Sequence, residues 1–99
     1  MLRRAMVFAL LAAPAFSEEF IDYDICDELW YMRNQVFANA GHCFTSPLGQ
    51  AMFDNTACIP GGVKLSSLEA AMVESFRADE ARLNCAVDTS QTTPLRIYN

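Results

Sequence analysis

The chain predicts an all-α fold: a small, disulfide-stapled bundle of about three helices, with room for a short C-terminal strand. Three observations carry this expectation. Apolar residues recur at helical spacing in three segments, each bounded by recognisable start or stop signals. All four cysteines, Cys26, Cys43, Cys58 and Cys85, lie beyond the N-terminal apolar run. That run has the layout of an export signal, which sends the chain to a compartment where paired cysteines oxidise.

The first helix is expected over Asp27 to Ala40. Asp27 and Glu28 occupy its first turn, where the helix dipole favours negative charge, and Gly41 ends it because glycine readily takes positive φ. Leu29, Met32, Val36 and Ala40 form one stripe, and Trp30, Arg33 and Phe37 a neighbouring one, so the apolar surface is wide, as a central helix requires. A shorter second helix begins at Ser46-Pro47, an N-cap followed by proline at the first helical position. It carries Leu48, Ala51, Met52 and Phe53 and stops at Asp54-Asn55. Pro60-Gly61-Gly62 then marks a turn. Ser66 and Glu69 form an S-x-x-E capping box for the third helix, which runs to Cys85 with Leu68, Met72, Phe76 and Leu83 as its apolar stripe. Residues 86–99 are polar and rich in Thr and Ser through Pro94, a tail expected to be loose unless its terminal apolar residues dock as a strand.

The export signal is read over residues 1–17. Arg3 and Arg4 form a basic start, Ala5 to Ala13 are all apolar, Pro14 breaks any helix, and Ala15-Phe16-Ser17 offers small residues where a signal peptidase reads. The run is too short to span a bilayer, and no cysteine follows it directly to take a lipid. Cleavage after Ser17 leaves 82 residues with 5 basic and 12 acidic side chains, a formal charge of −7. Such a balance argues against nucleic acid and anionic membrane surfaces, which recruit Lys and Arg, and is compatible with a cationic partner. The expected location is the periplasm or the exterior, with no membrane anchor after cleavage.

A chain this short makes one domain with a modest core, so covalent staples matter. Four cysteines allow three pairings. If residues 27 to 40 are helical, Cys26 and Cys43 sit at opposite ends of a rod about 20 Å long, whereas a disulfide needs Cα atoms within about 7 Å. That disfavours the pairing that joins them. Of the two pairings left open, Cys43–Cys58 with Cys26–Cys85 is preferred, each bridge contributing roughly 3 to 4 kcal/mol by loop-closure reasoning. Zinc and redox use are disfavoured: the cysteines are 17, 15 and 27 positions apart, without the close pairs of zinc sites or the C-x-x-C of thiol oxidoreductases.

The segment Met32-Arg33-Asn34-Gln35-Val36-Phe37-Ala38-Asn39-Ala40-Gly41-His42-Cys43-Phe44 resembles the core of the YARHG family. That family is named for a five-residue signature that ends a helix, preceded by an Arg-Asn pair and followed by an aromatic. Arg33-Asn34 matches the pair, Phe37-Ala38 stands where Tyr-Ala is expected, Gly41 closes the signature and Phe44 takes the later aromatic position. Ser46-Pro47-Leu48-Gly49 and Phe53 look like the family's short second helix. Two further positions depart: Asn39 replaces the signature arginine and Ala40 its histidine. The resemblance spans roughly Cys26 to Cys85, within a domain read as residues 18–85, and is strongest to small four-cysteine exported proteins of alphaproteobacterial type. It implies an extracytoplasmic helical module that binds or supports something at the cell envelope.

Arg33, Asn34, Phe37, Asn39 and His42 are the candidate binding residues. Arg33 and Asn34 sit in an otherwise apolar helix, where an arginine pairs with a carboxylate or bonds the carbonyls of a nearby loop; a structural role is expected ahead of ligand binding. His42 has no obvious nucleophile or titratable partner for acid–base work and lies where it can meet the free carbonyls of a helix end. The acidic stretch from Glu18 to Glu28 lacks the glycine and spacing of a calcium loop. No metal or other cofactor is expected. Most of the aromatics should fill the core, with Tyr31 the foremost candidate for a binding surface.

Two functions follow as expectations. The leading one is an exported, non-catalytic envelope domain that binds a protein or cell-wall partner. The alternative is a small periplasmic enzyme, or an enzyme's accessory subunit, with Arg33, Asn34 and His42 converging on one pocket. The export expectation has a direct check. Protein recovered from the periplasm should begin at Glu18 and weigh four hydrogens less than its reduced form by non-reducing mass spectrometry. Four alkylatable thiols in that fraction would refute it.

Overall fold

A computed structural model describes residues 24–97. The segment read as an export signal, residues 1–17, and the acidic residues up to Tyr23 lie outside this range. Three helices are formed among the described residues: α1, Ile25–Asn39; α2, Pro47–Met52; and α3, Ser67–Arg82. No strand occurs among them, so the short C-terminal strand is not formed as far as Ile97, and the fold is mainly helical as expected.

Helix α1 begins two residues earlier than periodicity suggested. Asp24 is its N-cap, and its carboxylate accepts the backbone N–H of Cys26 at 2.9 Å, satisfying a donor that the first turn leaves open. At the other end, Gly41 has φ +98°. The His42 N–H donates to Phe37 O and the Gly41 N–H to Ala38 O, both at 3.0 Å, which is the paired bonding of a Schellman stop. Helix α3 carries the expected capping box: Ser66 Oγ accepts the Glu69 N–H at 3.1 Å, and Glu69 accepts the Ser66 N–H at 2.8 Å. It ends in the same motif as α1, with Cys85 N–H to Glu80 O and Asn84 N–H to Ala81 O. Asn84 takes the left-handed position at φ +56°, which asparagine tolerates better than most residues. The helix thus stops at Arg82, three residues short of the expected end at Cys85.

Helices α1 and α3 pack against each other. The buried apolar residues are Leu29, Trp30, Val36, Phe44, Leu48 and Val73, with Leu48 fully enclosed. The face of α3 turned inwards differs from the stripe expected from sequence. Val73 is buried and Phe76 and Glu80 are half-buried, whereas Leu68, Met72 and Leu83 are 71%, 41% and 39% exposed. Glu80 falls on the inward face because it meets Arg33 of α1, and that pairing rotates Leu68 and Met72 towards solvent.

Helix α2 is positioned by a loop that an asparagine organises. Asn55 accepts the Phe44 N–H at 3.0 Å and donates to the Phe44 carbonyl at 2.8 Å, and Gln50 donates to the same carbonyl at 3.1 Å. Gly49 is required by close approach. A Cβ there would lie 2.8 Å from a ring carbon of Phe44 and 2.9 Å from its Cβ, distances that real side chains do not adopt. The C-terminal segment, expected to be loose, makes defined bonds to this helix: the Leu48 N–H donates to Thr89 O at 3.0 Å, and the Leu95 N–H to Met52 Sδ at 3.2 Å.

Both preferred disulfides are present. Cys26–Cys85 closes 59 residues and Cys43–Cys58 closes 15. The second sits beside the bond from Ile59 N–H to Gly41 O, so it fastens the loop after α2 against the end of α1. Loop-closure entropy grows with the logarithm of length, giving about 4 kcal/mol for the long bridge and about 3 for the short one. In urea unfolding, replacing Cys26 and Cys85 with alanine should therefore lower stability by about 1 kcal/mol more than replacing Cys43 and Cys58. The reverse order would show that local packing, not loop closure, sets the contribution of each bridge.

Candidate functional site

The charged group best defined inside the fold is a two-point ion pair between α1 and α3. Arg33 Nε donates to Glu80 Oε1 at 2.7 Å and Nη2 donates to Oε2 at 3.2 Å. The side chains are 18% and 14% exposed. Arg33 lies one turn beyond Trp30 on α1, and Glu80 one turn beyond Phe76 on α3, so the pair continues the packed faces of both helices. A planar guanidinium matched to a carboxylate along two bonds fixes orientation as well as proximity. Two further ion pairs among the described residues, Arg77 with Glu74 and Arg82 with Asp79, are exposed i,i+3 contacts on α3 and stabilise little.

An open cleft of about 470 Å³ lies over the Arg33–Glu80 pair. Trp30, Ala81, Asn84, Cys85, Ala86, Val87 and Thr89 complete its lining. Its wall is built where α3 stops: the left-handed turn at Asn84 reverses the chain, Cys85 is tied to Cys26, and residues 86–89 run back towards α2. A second, more apolar groove of about 300 Å³ runs between α1 and α3 on another side, bounded by Tyr31, Met32, Gln35, Val36, Asn39, Met72 and Phe76.

The five candidate residues do not meet in one place. Arg33 lines the cleft. Asn34 is turned onto its own helix, its Nδ2 donating to Trp30 O at 2.9 Å. Asn39 is exposed, accepts from Gln35 Nε2 at 3.3 Å and borders the second groove. Phe37 and His42 belong to a ladder of rings that continues through Phe44 and Phe53 to Tyr31. His42 lies 5.8 Å from Phe37 and 4.6 Å, edge-on, from Phe44. Phe53 stacks on Phe44 at 4.7 Å and on Tyr31 at 5.4 Å. It is the backbone of His42, and not its ring, that satisfies a free carbonyl at the end of α1. Neither cleft is lined by Arg33, Asn34 and His42 together, so the convergence required of an enzyme built on those three is missing from both.

Sequence reasoning missed Glu80, Asn84 and Thr89. The first carried a signal: an arginine inside an apolar stripe demands a carboxylate, and Glu80 falls at i+4 from Phe76 on the other long helix among the described residues. Thr89 had none, since its position depends on the turn after Arg82.

Acidic groups near the start of α1 and in the tail are committed to local structure. Asp27 is held above the usual carboxylate range by partial burial and by the neighbouring charges of Asp24 and Glu28. Asp88 is held below it by the hydroxyl and backbone N–H of Ser90, and Asp54 by the backbone N–H and hydroxyl of Thr56. These are turn-forming contacts. Among the described residues, no group of three or more His, Cys, Asp or Glu is placed to hold a metal ion, and no helix is long and apolar enough to cross a membrane.

A family model described as YARHG domain matches residues 4–81. No curated protein and no solved structure matches the chain. The match ends within α3, just past Glu80, so it takes in both partners of the ion pair.

Removing either charge leaves the other partly buried without its counter-ion, which costs more than the pair itself contributes. Arg33→Ala or Glu80→Ala should each lower the unfolding free energy by about 2 to 3 kcal/mol. The double variant should lose clearly less than the two losses combined. Additive losses in urea unfolding would show that the two side chains do not support each other.

Proposed function

The chain belongs to the YARHG domain family, and from that premise we propose that it is an exported, non-catalytic domain of the cell envelope that works by binding a protein or cell-wall partner. One observation carries the proposal. Arg33, Asn34 and His42, the side chains best suited to chemistry, are each engaged within the fold: by Glu80, by the Trp30 carbonyl and by two aromatic rings. Groups held this way build a scaffold; what such a scaffold offers a partner is its surface.

Export is supported by the two disulfides, which persist in oxidising compartments and are rare in the cytosol, and by the paired arginines and apolar run at the N-terminus. Binding is supported by the apolar side chains that α3 leaves in water. Leu68 and Met72 lie on one side of that helix, and Met72 borders the groove shared with Tyr31, Met32 and Phe76. Aromatic and methionine side chains are enriched at interface centres. The formal charge of −7 left after the signal is removed favours a partner with basic groups around the contact.

The test is capture from a solubilised envelope fraction by the immobilised, oxidised protein, compared with Met72→Glu and Leu68→Glu variants. Exposed substitutions of this kind should leave thermal stability nearly unchanged. The unaltered protein should retain a defined partner that both variants lose. Capture of the same set by all three proteins, or of nothing by any, would contradict the proposal.

A further inference from the structure

The cleft over the Arg33–Glu80 pair has donors that the fold does not use. A guanidinium carries five N–H groups, and Glu80 engages only the edge formed by Nε and Nη2. The outward fork, Nη1 with the second N–H of Nη2, has no partner among the described residues. Trp30 adds another unused donor. It is 5% exposed and lines the same cleft, yet its indole N–H donates to no group among the described residues. Buried polar groups are ordinarily hydrogen-bonded, so this donor calls for an acceptor that the described residues do not supply.

The charge pattern narrows what that acceptor belongs to. Apart from Arg33 and Glu80, no residue of the lining is charged, so the site holds one positive and one negative group side by side. A simple anion on Arg33 is repelled by Glu80, and a simple cation on Glu80 is repelled by Arg33. A molecule with both charges a few ångströms apart satisfies both. Ala81, Ala86 and Val87 give one part of the remaining wall a small apolar character, beside the polar Asn84 and Thr89. We propose that this cleft binds a small α-amino acid as its zwitterion. The carboxylate accepts from the open fork of Arg33 and from the Trp30 indole, the ammonium group meets Glu80, and a small side chain rests on the alanine and valine wall.

This rests on the domain being a binder, but it is tested apart from envelope capture. Trp30 is the chain's one tryptophan, so its emission reports occupancy of the cleft directly. The oxidised protein is titrated with glycine, L-alanine and D-alanine, and with propionate and ethylammonium as probes carrying only one of the two charges. At least one amino acid should shift the emission saturably below about 10 mM, with the single-charge probes at least about tenfold weaker. Ala81→Phe, which fills the cleft from an exposed position on α3, should weaken the amino acid about tenfold or more while the circular dichroism is unchanged. Glu80→Gln frees Arg33 from its counter-charge and should reverse the preference, so that propionate binds more tightly than alanine. A flat titration with every amino acid, equal binding of propionate and alanine to the unaltered protein, or an Ala81→Phe titration identical to the original would each overturn the proposal. Envelope capture by the same preparation would then leave the binding role standing and remove only this ligand.

Discussion

The Cys26–Cys85 bridge is the constraint from which most of the structure follows. It ties the first turn of α1 to the residue just past α3, across 59 positions of sequence, in a domain whose buried apolar side chains number six among the described residues. A core that small cannot by itself hold two helices in one register against chain entropy. With the bridge in place, the N-terminal end of α1 and the C-terminal end of α3 must lie together, and Arg33 and Glu80 fall within reach of each other. The chain leaving Cys85 also starts from a fixed point, which brings Thr89 to the Leu48 N–H and closes the core over α2.

The ion pair supplies what the bridge cannot. A single covalent link leaves a helix free to rotate about its own axis, and α3 has apolar residues on more than one side. Two parallel hydrogen bonds between planar groups admit only one rotation. Desolvating both charges consumes much of the attraction, so such a pair is better regarded as a device for specificity than as a source of stability. Its choice of face has a visible consequence: Val73 goes into the core and Leu68 and Met72 go out. The exposed apolar strip on α3 is thus a by-product of satisfying Arg33, and it is the strip from which binding to a partner is argued.

Local signals make much of this legible in the amino-acid sequence. The proline after Ser46, the capping box at Ser66 and Glu69, and the glycine after Ala40 each act through neighbouring backbone groups, and all three mark real helix ends. The disulfide pairing is legible in part because a helix is rigid: a rod between Cys26 and Cys43 keeps them apart and removes one of the three pairings, while the choice between the other two depends on where the chain returns after α3. The face of α3 is not legible. Phe76 belongs equally to the stripe through Leu68 and Met72 and to the face through Val73 and Glu80. Hydrophobic periodicity prefers the former because it counts a glutamate as outward. Only knowledge that Arg33 lies opposite reverses that choice. The docking of the tail escapes sequence reading for a related reason: its bonds to α2 start from the backbone N–H groups of Leu48 and Leu95, which go to Thr89 O and Met52 Sδ, and backbone donors leave no mark in composition.

The end of α1 separates what folding requires from what it leaves free. The turn there needs a residue at positive φ, which Gly41 supplies, and backbone N–H groups at positions 41 and 42 aimed at Phe37 and Ala38. The ring ladder needs Phe37, His42 and Phe44. Positions 39 and 40 contribute no side chain to either: Asn39 is exposed, and Ala40 serves the cap through its backbone. These are two of the positions at which the chain departs from the signature, with Asn and Ala standing where Arg and His are expected. Neither the turn nor the ladder uses those two side chains; Asn39 instead accepts from Gln35 Nε2 and borders the groove between α1 and α3. A neutral pair there withdraws positive charge from this end of an already acidic domain.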